Sequence, residues 1–173
     1  PEISNLKKSL KCLKNIISTI SKIDNINCIF TLPSHDIGID KFNKLIIDFV
    51  RKSKSNFYFK NLGQTNFLSL LKISSLLIGN SSSGILEMPS FGKYSINIGN
   101  RQNGRVFSKT VIQCSSDLKE IKKKINLYLN KKIIPLKNRN LYYKKNTYEI
   151  IIKLLKKKNF LKFNNKNFID LKT

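Results

Sequence analysis

Stretches with helical periodicity alternate along this chain with short runs rich in β-branched residues, and that alternation leaves few folds open to it. Residues 4–22 set Leu6, Leu10, Leu13, Ile16, Ile17 and Ile20 on one stripe at three- and four-residue spacing, which predicts an amphipathic helix. NCIFTL at 27–32 predicts a buried strand. After the loop Pro33-Ser34-His35-Asp36, a second helix is predicted through Phe42, Leu45, Ile46, Phe49 and Val50, followed by a strand at 56–60 and a short helix near 66–72. Strands are predicted at 75–79 (SLLIG), 94–98 (YSINI) and 111–114, with a short helix at 84–90 between the first two. A helix at 116–129 closes the array, and a last one at 147–157 carries Ile150, Ile151, Leu154 and Leu155 on one side. This order predicts an α/β domain with a parallel sheet, right-handed crossovers and helices on both sheet faces. With no internal repeat and no Gly/Ser linker, residues 1–158 are expected to form one domain, with the polar tail 159–173 packing on it as an extended segment.

A chain of 173 residues, 40% of them hydrophobic, is large enough for one core. No segment reaches the roughly 20 apolar residues of a membrane span. The opening Pro1-Glu2-Ile3-Ser4 has neither an initiator Met nor a basic segment leading into an apolar run, so the chain is expected to start inside a larger protein. Cys12, Cys28 and Cys114 are widely separated, lack C-x-x-C spacing and share the chain with a single His. They are expected to be reduced packing residues rather than disulfide or metal ligands, which points to a cytoplasmic protein.

The formal charge of +23 on its own would suggest a nucleic-acid partner. Composition argues otherwise. Only four of the 33 basic residues are Arg, while 29 Lys, 21 Asn and 25 Ile supply 75 of the 173 positions. All three have AT-rich codons, so a biased genome would load solvated faces with Lys without selection for binding. Tyr142, Tyr143 and Tyr148 do not interleave with Lys in the pattern of a base-stacking surface. A basic nucleic-acid binder is therefore the disfavoured reading.

Ligands of parallel α/β sheets sit at the carboxyl ends of the strands. One such loop stands out, where the predicted strand 75–79 runs into Asn80-Ser81-Ser82-Ser83-Gly84 and then a helix. Small residues admit close approach, hydroxyls donate hydrogen bonds, and N–H groups at a helix start favour an anion such as a diphosphate. The same loop also suits an ordinary Ser-rich helix cap with Gly84 relieving crowding. Neither the G-x-G-x-x-G nor the G-x-x-x-x-G-K-[ST] pattern is present, which disfavours a nicotinamide cofactor and an ATPase. Glu87, four residues beyond Ser83 and one of only ten acids, could accept two hydroxyl protons from a ribose or could simply be an acid favoured near a helix start. Its position behind GNSSSG favours the ribose. The next strand end, Gly99-Asn100-Arg101-Gln102-Asn103-Gly104-Arg105, gathers two of the four Arg, the cation suited to bidentate phosphate contact; a surface turn is the alternative.

The stretch GNSSSGILEMPSFGKYSINIGNRQNGR, between Ile78 and Val106, resembles the signature of the hydrolysing UDP-N-acetylglucosamine 2-epimerases. Similarity extends to Leu62-Gly63-Gln64 with Phe67-Leu68-Ser69-Leu70, to residues 30–36, and faintly to Lys166-Asn167-Phe168-Ile169-Asp170. The resemblance implies a Rossmann-like sheet sandwiched by helices, the C-terminal half of a two-domain architecture shared with one glycosyltransferase superfamily (GT-B). It implies that Ser81, Ser82, Ser83 and Gly84 hold the UDP diphosphate, that Glu87 takes the ribose hydroxyls, that Arg101 supports the phosphate or sugar side, and that Gly63 and Gln64 border the uracil. Ser34 and Asp36 would lie near the sugar. The implied reaction eliminates UDP to a glycal and adds water, giving N-acetylmannosamine with no metal or cofactor, for sialic-acid-like or surface-polysaccharide sugars. The resemblance further implies a homodimer in the full-length enzyme.

This chain departs from the family pattern at two places. Pro33 is followed by Ser34 and His35 before Asp36, where the family has Pro-Asn-x-Asp, so a hydroxyl stands in place of an amide. The family's catalytic His precedes a Pro resembling Pro1, and its catalytic acids lie further upstream, so no catalytic residue is expected in this chain and the chain alone is expected to be inactive. His35, without a partner acid in register, is expected to be a plain loop residue. The alternative within the same class is a nucleotide-sugar domain of another glycosyl enzyme, such as one acting on UDP-diacetamido-trideoxyhexoses.

Overall fold

The computed structural model describes residues 6–33, 38–129 and 140–157, and the chain divides into two compact units, Pro1–Leu141 and Tyr142–Thr173. In the first unit the order is α1 (Leu6–Ile20), β1 (Cys28–Thr31), α2 (Ile39–Val50), β2 (Asn56–Phe59), α3 (Gly63–Ile73), β3 (Leu76–Gly79), α4 (Ser83–Leu86), a 3-10 turn (Met88–Phe91), β4 (Tyr94–Ile98), β5 (Val111–Cys114) and α5 (Leu118–Leu129). The second unit holds α6 (Thr147–Lys157), where the apolar stripe predicts it. No helix among the described residues is long and apolar enough to cross a membrane.

Every strand pairing is parallel. β1 and β2 form a two-stranded ladder with Cys28 opposite Asn56, and β3, β4 and β5 form a three-stranded one with β4 in the middle, Ile78 opposite Ile96 and Ile98 opposite Cys114. Parallel neighbours need crossover connections; α2 supplies the one between β1 and β2, α4 with the 3-10 turn the one between β3 and β4, and the irregular segment 99–110 the one between β4 and β5. All five residues of β4 are buried, as a central strand covered on both faces requires.

Strand alternation sorts the helices by face. Ile96 and Ile98 join Ile20, Cys114, Ile121 and Ile125 in the main core, against which Cys12 and Ile16 of α1 also pack. Ser95 and Asn97 point the other way, toward α4, where the Ser95 hydroxyl donates to the Gly84 carbonyl at 2.6 Å. Gly84 favours that approach, since a Cβ there would sit 3.3 Å from both Cβ and Oγ of Ser95 and push Ser95 back by a few tenths of an ångström. On the α1 side a smaller cluster of Leu32, Ile46 and Val50 continues the core beneath Leu13, Phe30 and Phe49, with Phe30 and Phe49 edge to face at 5.8 Å. The architecture is thus a Rossmann-like parallel sheet flanked by helices. The expected tail at 159–173 lies outside the described residues.

Two local differences from the sequence reading have clear causes. The single short helix expected at 84–90 is split into α4 and a 3-10 turn. Pro89 has no N–H to give to Ile85, and its ring crowds that carbonyl, so the α-helix stops after one turn. Second, α3 begins at Gly63 rather than near residue 66, because the Asn61 side chain accepts the Gly63 N–H at 2.8 Å and starts the helix early. Gly63 has a φ of +66°, a conformation that side-chain-bearing residues rarely adopt.

Candidate functional site

The loops of interest all leave the carboxyl ends of strands. Beyond β3, Asn80–Ser82 lead into α4, whose first turn is built from Ile85 N–H to Ser82 O at 2.9 Å and Leu86 N–H to Ser82 O at 2.8 Å. Ser81 is exposed, Ser82 and Ser83 are half-buried, and the Ser81 hydroxyl accepts the Ser83 N–H at 3.3 Å. Ser81 and Gly84 line a small cleft of about 20 Å³ with Leu77, Gly79, Ser95 and Asn97, room for roughly one water. With only one turn in α4, little helix dipole accumulates, and the hydroxyls and nearby cations become the larger contributors to anion attraction.

Glu87 directly follows α4 and is half-buried; its Oε2 is fully covered and finds no hydrogen-bond donor among the described residues. Leaving such an oxygen unsatisfied costs about 1–3 kcal/mol, more for a charged group, so the position calls for a donor brought by something else. Arg101 and Arg105 are exposed on the turn after β4, closed by Asn103 N–H to Asn100 O at 3.0 Å and Arg105 N–H to Gln102 O at 3.2 Å.

A second, larger depression of about 500 Å³ lies where β1 and β2 end, lined by Thr31, Lys60, Asn61, Leu62, Gly63, Gln64 and Phe67. Gly63 and Gln64 therefore occupy the first turn of α3 at the mouth of a cavity of small-ligand size. With no side chain on Gly63, the space above it stays open. Ser34, His35 and Asp36 lie outside the described residues.

The residues picked from sequence thus fall into two places: Gly63 and Gln64 at the large depression, and Ser81 and Gly84 at the small cleft, with Ser82, Ser83 and Glu87 on the same segment. Glu87 lines neither space. Sequence reasoning missed Thr31, Lys60 and Asn61, whose position at strand ends was the available signal. It also gave no role to Gln102, which is 4% exposed between two exposed neighbours and donates through Nε2 to the Asn80 carbonyl at 2.8 Å.

A parallel sheet flanked by helices, with hydroxyl-rich and arginine-bearing loops at its carboxyl edge, defines a unit of the Rossmann-like class. Residues 2–156 match the family described as UDP-N-acetylglucosamine 2-epimerase, and the chain belongs to that family. It is 31% identical over 173 residues to the polysialic acid biosynthesis protein P7 of Escherichia coli, covering 98% of this chain and 44% of that protein. It is also 36% identical over 113 residues to a hydrolysing GDP/UDP-N,N'-diacetylbacillosamine 2-epimerase of Campylobacter jejuni, covering 65% of this chain and 29% of that one. The crystal structure of the Methanocaldococcus jannaschii UDP-GlcNAc 2-epimerase in complex with UDP-GlcNAc and UDP superposes with a TM-score of 0.68 at 22% identity, over 86% of this chain and 41% of that chain. That likeness establishes the fold. The chain spans less than half the length of each of these proteins.

Proposed function

We propose that this chain is the UDP-sugar binding half of a hydrolysing 2-epimerase that converts UDP-N-acetylglucosamine and water to N-acetylmannosamine and UDP. Ser81, Ser82 and Ser83 hold the diphosphate with Arg101, Glu87 accepts ribose hydroxyls, and the uracil enters the depression beside Gly63 and Gln64. Holding the diphosphate as it leaves the sugar stabilises the charge that develops there, which is this half's share of the chemistry. The proton-transfer groups come from the part of the full-length protein that this chain does not span, so the chain alone binds without turning over. The observation that carries the reading is Glu87, on the segment that follows the serine loop, whose covered Oε2 has no donor among the described residues. A ribose hydroxyl supplies that donor once the half-buried Glu87 side chain turns outward to the ligand.

The identity to the Campylobacter protein favours one variation, a diacetamido trideoxyhexose in place of N-acetylglucosamine. Both readings share the UDP half of the ligand, so nucleotide binding is tested first.

Calorimetric titration with UDP, 2'-deoxy-UDP and ADP at low and moderate salt, on the unsubstituted chain and on Ser82→Ala and Glu87→Ala, provides that test. UDP should bind saturably and more tightly than ADP. A hydrogen bond to a charged group contributes about 1.5–3 kcal/mol, so loss of the 2'-hydroxyl should weaken binding roughly 10- to 100-fold in the unsubstituted chain and far less in Glu87→Ala. Equal, steeply salt-dependent binding of UDP and ADP, indifferent to both substitutions, would show only the +23 charge and defeat the proposal.

A further inference from the structure

We propose that Gln102 is a positioning residue of this site, its side-chain amide setting the separation between the serine loop and the arginine turn so that both can meet one diphosphate. The inference rests on the UDP reading above and assigns a role to a residue that touches no ligand in that reading.

Three observations support it. Gln102 is 4% exposed although Arg101 and Asn103 on either side are exposed, so the turn after β4 directs this one side chain inward. Its Nε2 donates to the Asn80 carbonyl at 2.8 Å, across 22 residues of sequence, which links the residue beside Arg101 to the residue beside Ser81. The base of the same turn is braced from β5: Asn97 Nδ2 donates to Gln113 Oε1 at 2.7 Å, and Gln113 Nε2 donates to the Gly99 carbonyl at 2.6 Å. The carboxyl ends of β3, β4 and β5 are thus tied together by side-chain amides.

An amide suits this place because it donates without bringing a charge. A lysine or arginine reaching Asn80 would itself attract the phosphate, and a glutamate would repel it. Without the tether, each loop remains anchored to its own strand, but the spacing between them relaxes. A diphosphate spanning both then has to order them on binding, and that cost appears as lost affinity.

The test compares this chain with Gln102→Leu, which keeps the volume and removes the donor, with Gln102→Met as a second variant, and with Asn103→Ala as a control on the same turn. Affinities for UDP and for uridine are measured by NMR titration, alongside hydrogen exchange of the 81–84 amides without ligand. Both Gln102 variants should lose about tenfold or more in UDP affinity, keep uridine affinity within twofold, and exchange faster at 81–84; Asn103→Ala should match the unsubstituted chain. If the unsubstituted chain binds neither nucleotide nor nucleoside, the UDP reading falls and takes this one with it. If it binds UDP but the Gln102 variants bind UDP equally well, or lose UDP and uridine alike, the positioning role alone is overturned.

Discussion

Lys93 offers a measure of what holds the sheet's other end. Only 8% exposed, it directs its Nζ to the carbonyl of Lys72 and to that of Ser74 at 2.6 Å, the last turn and the C-cap of α3. The final carbonyls of a helix have no partner within it, and an ammonium there meets both the orphaned acceptors and the negative end of the helix dipole. Lys93→Met keeps the aliphatic stem and deletes the charge. Each carbonyl left without a donor costs about 1–3 kcal/mol, for a gross loss of about 2–6 kcal/mol. Releasing an ammonium from a mostly buried site returns part of that, so the net expectation is a loss of about 2–3 kcal/mol. Urea denaturation followed by circular dichroism should show the midpoint falling by roughly 1 M or more with an unchanged slope. Nucleotide affinity should stay unchanged, since Lys93 precedes β4 and the proposed ligand loops follow its far end. A loss below about 0.5 kcal/mol, no larger than that of the exposed control Lys109→Met, would refute the capping argument.

Cys114 is 1% exposed, and burial, followed by the nearby Glu120 carboxylate, pushes its thiol up to about 11. It should therefore resist thiol reagents at pH 8 until the protein unfolds, and mass spectrometry finding it labelled in the native state as fast as half-buried Cys12 would contradict this. The Glu120 carboxyl is held below its ordinary 4.5, first by the Ser115 hydroxyl at 2.5 Å and then by the Ser115 N–H at 3.2 Å. A depressed carboxyl stabilises the fold above its unfolded value and loses that contribution as pH falls through its folded value. Glu120→Gln should thus melt lower at pH 7 and converge with the unsubstituted chain in acid; a gap that widened in acid would reverse the sign. Ile121 is fully buried in the main core, and Ile121→Ala should cost about 2–5 kcal/mol in chemical denaturation. A cost under 1 kcal/mol would mean that the core there is loosely packed.

The fold was legible because its signals are local. The strands are short runs of aliphatic or aromatic residues and the longer helices carry a stripe, so β4 at 94–98 and α6 at 147–157 fall where their patterns place them. Boundaries set by a single contact were not legible. The early start of α3 depends on the Asn61 side chain folding back onto Gly63, and the end of α4 depends on how Pro89 meets Ile85. At the candidate site, composition marked the serine loop and the two arginines because they depart from the Lys-rich background. Gln102 and Gln113 carried no such mark: a glutamine in a turn or on a strand looks the same whether it points to solvent or to a carbonyl of a neighbouring loop. Only the fold brings Asn80 and Gln102 together.

The same contacts bear on how so basic a chain could be selective. A charge of +23 draws any anion, and it does so through Lys side chains whose attraction is screened within about 8 Å at physiological salt. Selection among anions has to come from donors held in fixed positions. At the carboxyl ends of these strands, the carbonyls of Asn80, Gly84 and Gly99 are each taken by a neutral side-chain donor, from Gln102, Ser95 and Gln113. A carbonyl held in this way is not free to turn toward an arriving phosphate and repel it, while the serine hydroxyls of the same loop remain able to donate. On the proposed UDP reading, neutral side chains at this edge would do what added positive charge could not: fix which end of each peptide dipole faces the ligand.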